Sequence, residues 1–152
     1  MRVLHTTSVD ETRALGAALG RLALPGTVVA LVGDLGAGKT AFAQGVGEGL
    51  GLAHGVQSPT FVLVDEHHGG RLPLVHADLY RLEEAGQLEQ LGLEERLEAG
   101  DAVGLVEWAD RFPHVLPADH LEVRLVHDGA RRRLEIEATG PWHARLAERL
   151  GA

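Results

Sequence analysis

The sequence predicts an α/β fold in which buried strands alternate with amphipathic helices, and two observations support this prediction. The segments Thr27 to Val32 and Ala102 to Val106 are short and almost wholly apolar, which is typical of strands buried on both faces of a parallel sheet. Apolar residues recur at helical spacing around them. The chain has 152 residues, and we expect a single domain because that length suits one hydrophobic core.

A first helix is predicted from the segment that follows the N-terminus. Ser8 to Glu11 has the spacing of a capping box, and Leu15, Leu19 and Leu22 then fall on one helical face. Pro25-Gly26 ends this helix before the first buried strand.

A second helix is predicted after residue 38, where Phe42, Val46 and Leu50 repeat every four residues. Three glycines lie inside it, at 45, 47 and 49. Each weakens a helix by up to about 1 kcal/mol relative to alanine, unless close packing compensates.

The middle of the chain predicts a hairpin followed by helix. Phe61 to Glu66 and Leu72 to Ala77 flank a turn rich in histidine and glycine and form the two predicted strands. Glu83 to Glu98 is predicted to be helical, with Gly86 and Gly92 as points where it divides in two.

The last third of the chain predicts a second hairpin and a terminal helix. Apolar residues alternate with charged ones from Leu121 to Leu125 and from Leu134 to Ile136, and Asp128-Gly129 turns the chain between them. In the helix predicted from Trp142 to Leu150, both end residues and Leu146 share one face.

Composition and charge restrict the function. The chain has 14 Lys plus Arg and 22 Asp plus Glu, which give a formal net charge of −8. This charge argues against binding of a nucleic-acid backbone by this chain alone. The absence of cysteine favours a reducing, cytoplasmic compartment. The longest apolar run, Val28 to Val32, is far below the ~20 residues of a membrane span, and the N-terminus lacks the apolar segment of a signal peptide.

The strongest motif is a phosphate-binding loop. Residues 33–40 read Gly-Asp-Leu-Gly-Ala-Gly-Lys-Thr and match the P-loop pattern G-x-x-x-x-G-K-[ST] between a predicted strand and a predicted helix. Glycines let backbone N–H groups approach phosphate oxygens at the start of a helix. Lys39 is the only lysine in the chain, and it reaches the outer phosphates, while the Thr40 hydroxyl ligates Mg²⁺. The predicted nucleotide-binding residues of this segment are Asp34, Leu35, Gly36, Ala37, Gly38, Lys39, Thr40 and Ala41.

A P-loop site needs a second acid for Mg²⁺, and two acids qualify. Asp78 and Glu107 each follow a predicted buried strand, and spacing alone does not choose between them. If the strand before Asp78 continues, His76, Asp78 and Tyr80 face one side. Such a cluster is suited to positioning a water or orienting an acid.

One further segment predicts a contact with the terminal phosphate. Ser58-Pro59-Thr60 begins a strand after a glycine-containing loop, and the Thr60 hydroxyl is placed to reach Mg²⁺ or the γ-phosphate. The histidines do not predict a metal site of their own, because His67 and His68 are adjacent and no H-x-x-x-H pair occurs.

Four segments together resemble the bacterial TsaE (YjeE) family, in order, spacing and total length, over about residues 8 to 138. They are the P-loop, Ser-Pro-Thr-Phe at 58–61, His-Ala-Asp-Leu-Tyr-Arg at 76–81 and Glu-Trp at 107–108. The resemblance implies a P-loop NTPase-like three-layer fold with a mixed, mainly parallel central sheet and a C-terminal β-hairpin.

The resemblance also implies a function. It implies an ATPase that binds ATP or ADP with Mg²⁺, is slow on its own and supports turnover of a complex of TsaD and TsaB. That complex transfers a threonylcarbamoyl group, activated by TsaC, to make N6-threonylcarbamoyladenosine in tRNA. The chain is then an accessory subunit and not the transferase, and it meets tRNA only through the complex.

The resemblance assigns roles to residues. Thr40 and Glu107 become the Mg²⁺ ligands, and Asp78 becomes the catalytic or water-orienting acid. Ser58 to Thr60 becomes a switch-like segment. The nucleotide site further involves the start of the first helix, here near Glu11. It also involves an arginine before the last long strand, here Arg132 in the run Arg131-Arg132-Arg133. Trp108 is a natural reporter of nucleotide binding.

Two other functions remain open. A small-molecule kinase would use Asp78 and Arg81 in a substrate pocket, whereas a nucleotide-gated binding subunit would respond to ATP occupancy with incidental hydrolysis. A GTPase is disfavoured, because the usual guanine-reading segment needs lysine with asparagine or threonine. The chain contains no asparagine, and its one lysine lies in the P-loop.

Overall fold

The computed structural model describes residues 1–34, 37–52, 64–80, 82 and 85–150. Within these ranges the strands are β1 (Arg2–Thr6), β2 (Val28–Gly33), β3 (Val64–His67), β4 (Leu74–Asp78), β5 (Val103–Glu107), β6 (Leu121–Asp128) and β7 (Arg131–Ala138). The helices are α1 (Val9–Leu22), α2 (Lys39–Gly49), α3 (Ala85–Leu91), α4 (Leu93–Glu98) and α5 (Pro141–Arg149), with short 3-10 turns at Ala109–Arg111 and Pro113–Val115. None of the described helices has the length and apolar character needed to span a bilayer.

The strands form one mixed sheet in the order β1-β7-β6-β2-β5-β4-β3. The four central strands, β6, β2, β5 and β4, run parallel to one another. The flanking pairs β6–β7, β1–β7 and β3–β4 are antiparallel. The mixed, mainly parallel sheet and the C-terminal hairpin are therefore confirmed.

Helices cover both faces of the sheet, which confirms the three layers. On one face α1 and α2 pack through a cluster that includes Leu19, Leu31 and Phe42. On the other face α4 and the 3-10 turns pack through a cluster that includes Ala30 and Leu97. The strand β2 contributes alternate residues to both clusters, because successive side chains of a strand point to opposite faces.

Glycines allow α1 and α2 to lie in direct backbone contact. A Cβ added at Gly45 would lie 2.0 Å from the carbonyl oxygen of Arg13, and one at Gly16 would lie 2.2 Å from that of Phe42. The glycines of α2 are therefore required by close packing, which compensates for their poor helix propensity.

The structure corrects three expectations about the elements. β1 was not expected, because five residues at the edge of a sheet carry too little pattern to distinguish from a loop. The helix predicted from Glu83 to Glu98 divides at Gly92, whose φ of +67° favours glycine, and not at Gly86. At the end of the chain Leu150, which caps α5, is buried, but Trp142 is 42% exposed and the neighbouring His143 is buried in its place.

Candidate active site

The candidate site lies at the carboxyl ends of the central strands. β2 ends at Gly33, β4 at Asp78 and β5 at Glu107, and parallel pairing brings these ends to the same edge of the sheet. β2 pairs with β5 on one side and with β6 on the other, so the sheet extends to both sides of β2 and the loops at its carboxyl end diverge. A crevice at such a point is the usual ligand site of α/β sheets.

The phosphate loop leads from β2 into α2. The backbone N–H of Ala37 donates to the carbonyl of Asp34 at 3.1 Å, and Gly38 has a φ of +105°, a conformation that favours glycine. Gly38 stands at the N-cap of α2 and has no side chain to cap it. The first turn of α2 therefore offers N–H groups and a positive helix end to an anion. The predicted binding residues Leu35 and Gly36 lie outside the described residues.

Lys39 is buried at the centre of the site. Its Nζ donates to the carbonyl oxygen of Gly33 at 2.6 Å and lies 3.6 Å from the centroid of the Trp108 ring. Burial lowers the pKa of Lys39, although the nearby carboxylates, led by Glu107 and Asp78, oppose that change. The ammonium is thus held by a carbonyl and an aromatic face, beside the start of α2.

Asp78 and Glu107 lie side by side, since parallel pairing of β4 and β5 sets them in register. Leu74 and Leu105 belong to the cluster that packs against α1 and α2, and the period of a strand places Asp78 and Glu107 on that same face. Burial raises the pKa of Asp78, and the neighbouring Glu107 raises it further. The structure therefore brings both predicted acids together with Lys39.

His76 lies deeper on the same face of β4. Its Nε2 is 2.6 Å from Oε2 of Glu107, and both side chains are almost wholly buried. The predicted grouping of His76, Asp78 and Tyr80 takes a different form, because β4 ends at Asp78. Tyr80 lies beyond the strand, 44% exposed, and its backbone N–H donates to Asp78 Oδ1 at 3.0 Å.

Trp108 contacts both Lys39 and Tyr80. Its φ of +59° makes it the one non-glycine residue with a positive φ in the described part of the chain, and such a conformation is uncommon for a bulky residue. Its ring packs against that of Tyr80 with centroids 4.9 Å apart. The sequence singled out Trp108 as a reporter but gave no sign of its contact with Lys39, which depends on the approach of two separate segments.

A cavity of about 220 Å³ adjoins the start of α2. Its lining combines the end of β1, the start of α1, α2 and the tip of the β6–β7 hairpin: Thr6, Thr7, Ser8, Val9, Thr12, Gly38, Ala41, Ala130 and Arg132. The sequence indicated Gly38, Ala41 and Arg132 of this lining, but it did not identify the threonines contributed by β1 and α1. The strand β7 begins at Arg131, so Arg132 lies inside the last long strand and not before it.

Glu11 lies beside this cavity without lining it. Ser8 caps α1 by accepting from the N–H of Glu11 at 3.1 Å. The Glu11 carboxylate accepts from the hydroxyl and the N–H of Thr7 at 2.5 and 3.2 Å, and the hydroxyl bond lowers the pKa of Glu11. In the usual capping box the glutamate accepts from the backbone N–H of the N-cap residue, whereas Glu11 accepts from Thr7, the residue before the N-cap.

The oxygen donors of the site suit Mg²⁺. Thr40 is exposed at the first turn of α2, and Glu107 and Asp78 supply carboxylates at the adjoining strand ends. Hard oxygen ligands of this kind, together with phosphate oxygens, are what Mg²⁺ prefers. The segment Ser58 to Thr60 and Arg81, also predicted to act here, lie outside the described residues.

Comparison with protein-family models gives a match over residues 6–134 to TsaE, described as threonylcarbamoyl adenosine biosynthesis protein TsaE. A Bacillus subtilis protein named tRNA threonylcarbamoyladenosine biosynthesis protein TsaE is 41% identical over 147 residues, which are 96% of this chain and 91% of that protein. A Nostoc protein of the same name is 42% identical over 140 residues, 90% of this chain and 85% of that protein.

A solved structure has the same fold. The crystal structure of Bacillus subtilis YdiB superposes with a TM-score of 0.84 at 35% sequence identity and covers 98% of this chain and 93% of that one. The likeness extends over nearly the whole of both chains.

Proposed function

The chain belongs to the TsaE family, whose members act in the biosynthesis of threonylcarbamoyladenosine in tRNA, and on that premise we propose that it binds and hydrolyses ATP with Mg²⁺. Hydrolysis supports turnover of the TsaD and TsaB pair, to which the chain binds. It is slow in the isolated chain, which is not itself the transferase. TsaC supplies the activated group, and tRNA meets the chain only through the complex.

One observation carries the proposal of ATP hydrolysis. The only lysine of the chain, two carboxylates and an uncapped helix start meet at the carboxyl edge of the parallel strands. Lys39 lies close enough to Asp78 and Glu107 for their charges to act on its pKa. The helix start and Lys39 supply hydrogen-bond donors and positive charge for phosphate, and the two carboxylates supply oxygen ligands for a cation.

The residues divide the work of phosphoryl transfer. Backbone N–H groups of α2 and Lys39 bind phosphate oxygens and balance charge as the bond to the γ-phosphate breaks. Thr40 and Glu107 would hold Mg²⁺, which supplies positive charge to the β- and γ-phosphates when bound. Asp78 orients the attacking water, and its partly buried position at the strand end suits that role. Arg132, in the cavity beside Gly38, binds the nucleotide from the opposite side.

Hydrolysis of ATP by the purified chain tests the proposal, with and without the TsaD and TsaB pair from the same source. Lys39→Ala should abolish ATP binding, because it removes the cation at the phosphates. Asp78→Asn should keep ATP binding within about threefold and lower kcat by about 100-fold or more, the usual effect of losing a water-activating group. Glu98→Gln, which neutralises an exposed carboxylate on α4, is the matched control and should behave as the parent.

The two variants separate the competing functions. Normal hydrolysis by Asp78→Asn would show that Asp78 does not orient the water. A nucleotide-gated subunit predicts that Asp78→Asn still supports the TsaD and TsaB pair. Hydrolysis that the pair leaves unchanged, with ATP still bound, would contradict the proposed partnership and favour a small-molecule kinase.

A further inference from the structure

His76 makes its hydrogen bond to Glu107 in the interior of the protein. The Nε2 to Oε2 distance is 2.6 Å, and the side chains of His76 and Glu107 are 0% and 3% exposed. A carboxylate oxygen accepts hydrogen bonds, so the tautomer of His76 that satisfies this contact is the one whose Nε2–H donates to Glu107. Hydrogen bonds to a carboxylate are shorter and stronger than those between neutral groups.

His76 lies too deep to touch a nucleotide. It stands two residues before Asp78 on the same face of β4, and its backbone is in register with Leu105 of β5. The positions around it on that face, Leu74 and Leu105, are apolar and buried. Within the site, Glu107 is the residue that His76 hydrogen-bonds, while the influence of His76 on Asp78 is electrostatic and lowers the pKa of that carboxyl.

The second ring nitrogen indicates why an imidazole stands here. Nδ1 of His76 is buried and has no hydrogen-bond partner within the described ranges, a state that costs stability. Packing alone would favour an apolar side chain at this position. Within the described residues, the polar contact that accounts for an imidazole at this position is the bond from Nε2 to Glu107.

We propose that His76 is a positioning residue that fixes the Glu107 carboxylate in the orientation in which it ligates Mg²⁺ beside the nucleotide. The bond holds Oε2 and thereby sets the plane of the carboxylate. Without it, the carboxylate is able to turn toward the Lys39 ammonium, whose charge already interacts with that of Glu107. Groups that hold a metal ligand in this way typically contribute 10- to 100-fold to metal affinity or activity.

This inference rests on the proposed function, since it takes Glu107 as a Mg²⁺ ligand. The experiment measures ATP affinity calorimetrically with Mg²⁺ and with chelator, so that the ratio of the two Kd values reports Mg²⁺ coupling without hydrolysis. His76→Leu should reduce the coupling at least 10-fold, while ATP affinity in chelator changes by less than about twofold. His76→Gln, whose amide N–H reaches the place of Nε2, should restore most of the coupling.

Two further variants keep the outcome decisive. His76→Asn retains an amide but is too short to reach Glu107, so it should behave as His76→Leu and replaces it if the leucine variant does not fold. His143→Gln alters another buried histidine, far from these residues in sequence, and should leave the coupling unchanged. Melting temperatures of all variants show whether stability has changed separately.

The results distinguish failure of the inference from failure of the proposed function. If Glu107→Gln abolishes the coupling but His76→Leu and His76→Asn preserve it, His76 does not position the ligand. If the parent shows no coupling, the proposed binding of ATP with Mg²⁺ falls and this inference falls with it. If the parent shows coupling and Glu107→Gln leaves it intact, Glu107 is not a Mg²⁺ ligand and this inference falls, while ATP hydrolysis is still judged by Lys39→Ala and Asp78→Asn. Equal losses in His76→Gln and His76→Asn, with lowered melting temperatures, would reduce His76 to a packing role.

Discussion

The contact between α1 and α2 predicts that Gly45→Ala destabilises the protein. Alanine is favoured over glycine by about 1 kcal/mol in a helix interior, so propensity alone predicts a more stable protein. The structure reverses the sign, because the new Cβ would lie 2.0 Å from the carbonyl oxygen of Arg13 and 2.9 Å from the backbone nitrogen of Ala17.

The magnitude follows from the nature of these atoms. The Cβ contact at Gly45 is about 1.4 Å closer than the 3.4 Å at which ordinary contacts begin. Both partner atoms belong to the backbone of α1 and cannot rotate away, so the helices must separate. Overpacking of this kind costs about 3 kcal/mol, which leaves a net loss of about 2 kcal/mol in the free energy of unfolding after the gain in propensity. For a chain of this size the melting temperature should fall by roughly 4–8 °C.

The assay is thermal and urea unfolding followed by circular dichroism, with Gly86→Ala as the matched control. Gly86 lies in α3, and a Cβ there would meet no atom of the described residues within 4 Å. The same substitution should therefore leave stability unchanged or raise it by up to about 1 kcal/mol. A Gly45→Ala variant as stable as the parent would refute the close approach of the two helices.

Two other contacts give predictions. In the Trp142→Phe variant Trp108 is the only tryptophan, and its fluorescence should change when ATP is added, because the phosphates draw the Lys39 ammonium away from the ring, whose centroid lies 3.6 Å from it. The Trp108→Phe variant should show no such change. Equal fluorescence changes in the two variants would contradict this prediction. Burial lowers the pKa of His143, against the opposing effect of Asp119, so the unfolded chain takes up the proton first. Stability should then fall as the pH drops below about 6.5, because a protonated Nε2 cannot accept from the N–H of Val28. Melting temperatures at pH 7.5 and 5.5 should differ more for the parent than for His143→Gln, and equal differences would exclude this histidine as the cause.

The sequence predicted what depends on contiguous residues. The phosphate loop is one uninterrupted segment whose glycines, lysine and threonine act through local backbone geometry, so its place between β2 and α2 was evident. The strands β2 and β5 were recognisable because burial on both faces leaves an almost wholly apolar run. β1 offers no such run, because its first four side chains alternate between half-buried and exposed and only Thr6 is buried.

The sequence also predicted the acidic residues of the candidate site, but only as two alternatives for the same role. Asp78 and Glu107 were both recognised as acids at strand ends, and their spacing did not decide between them. The register of β4 and β5 shows why both qualify: they lie side by side. Their roles at Mg²⁺ and water stay predictions, as do those of Glu11 and Arg132.

By itself, the sequence determined the fold class, the phosphate loop and the residue types available for its chemistry, because these follow from local pattern and periodicity. Only the tertiary structure decided which groups meet. The bond between His76 and Glu107, the Trp108 ring under Lys39, and the backbone contact that makes Gly45 necessary each join segments distant in sequence. Strand order, register and helix approach set such contacts, and these are properties of the whole packed chain.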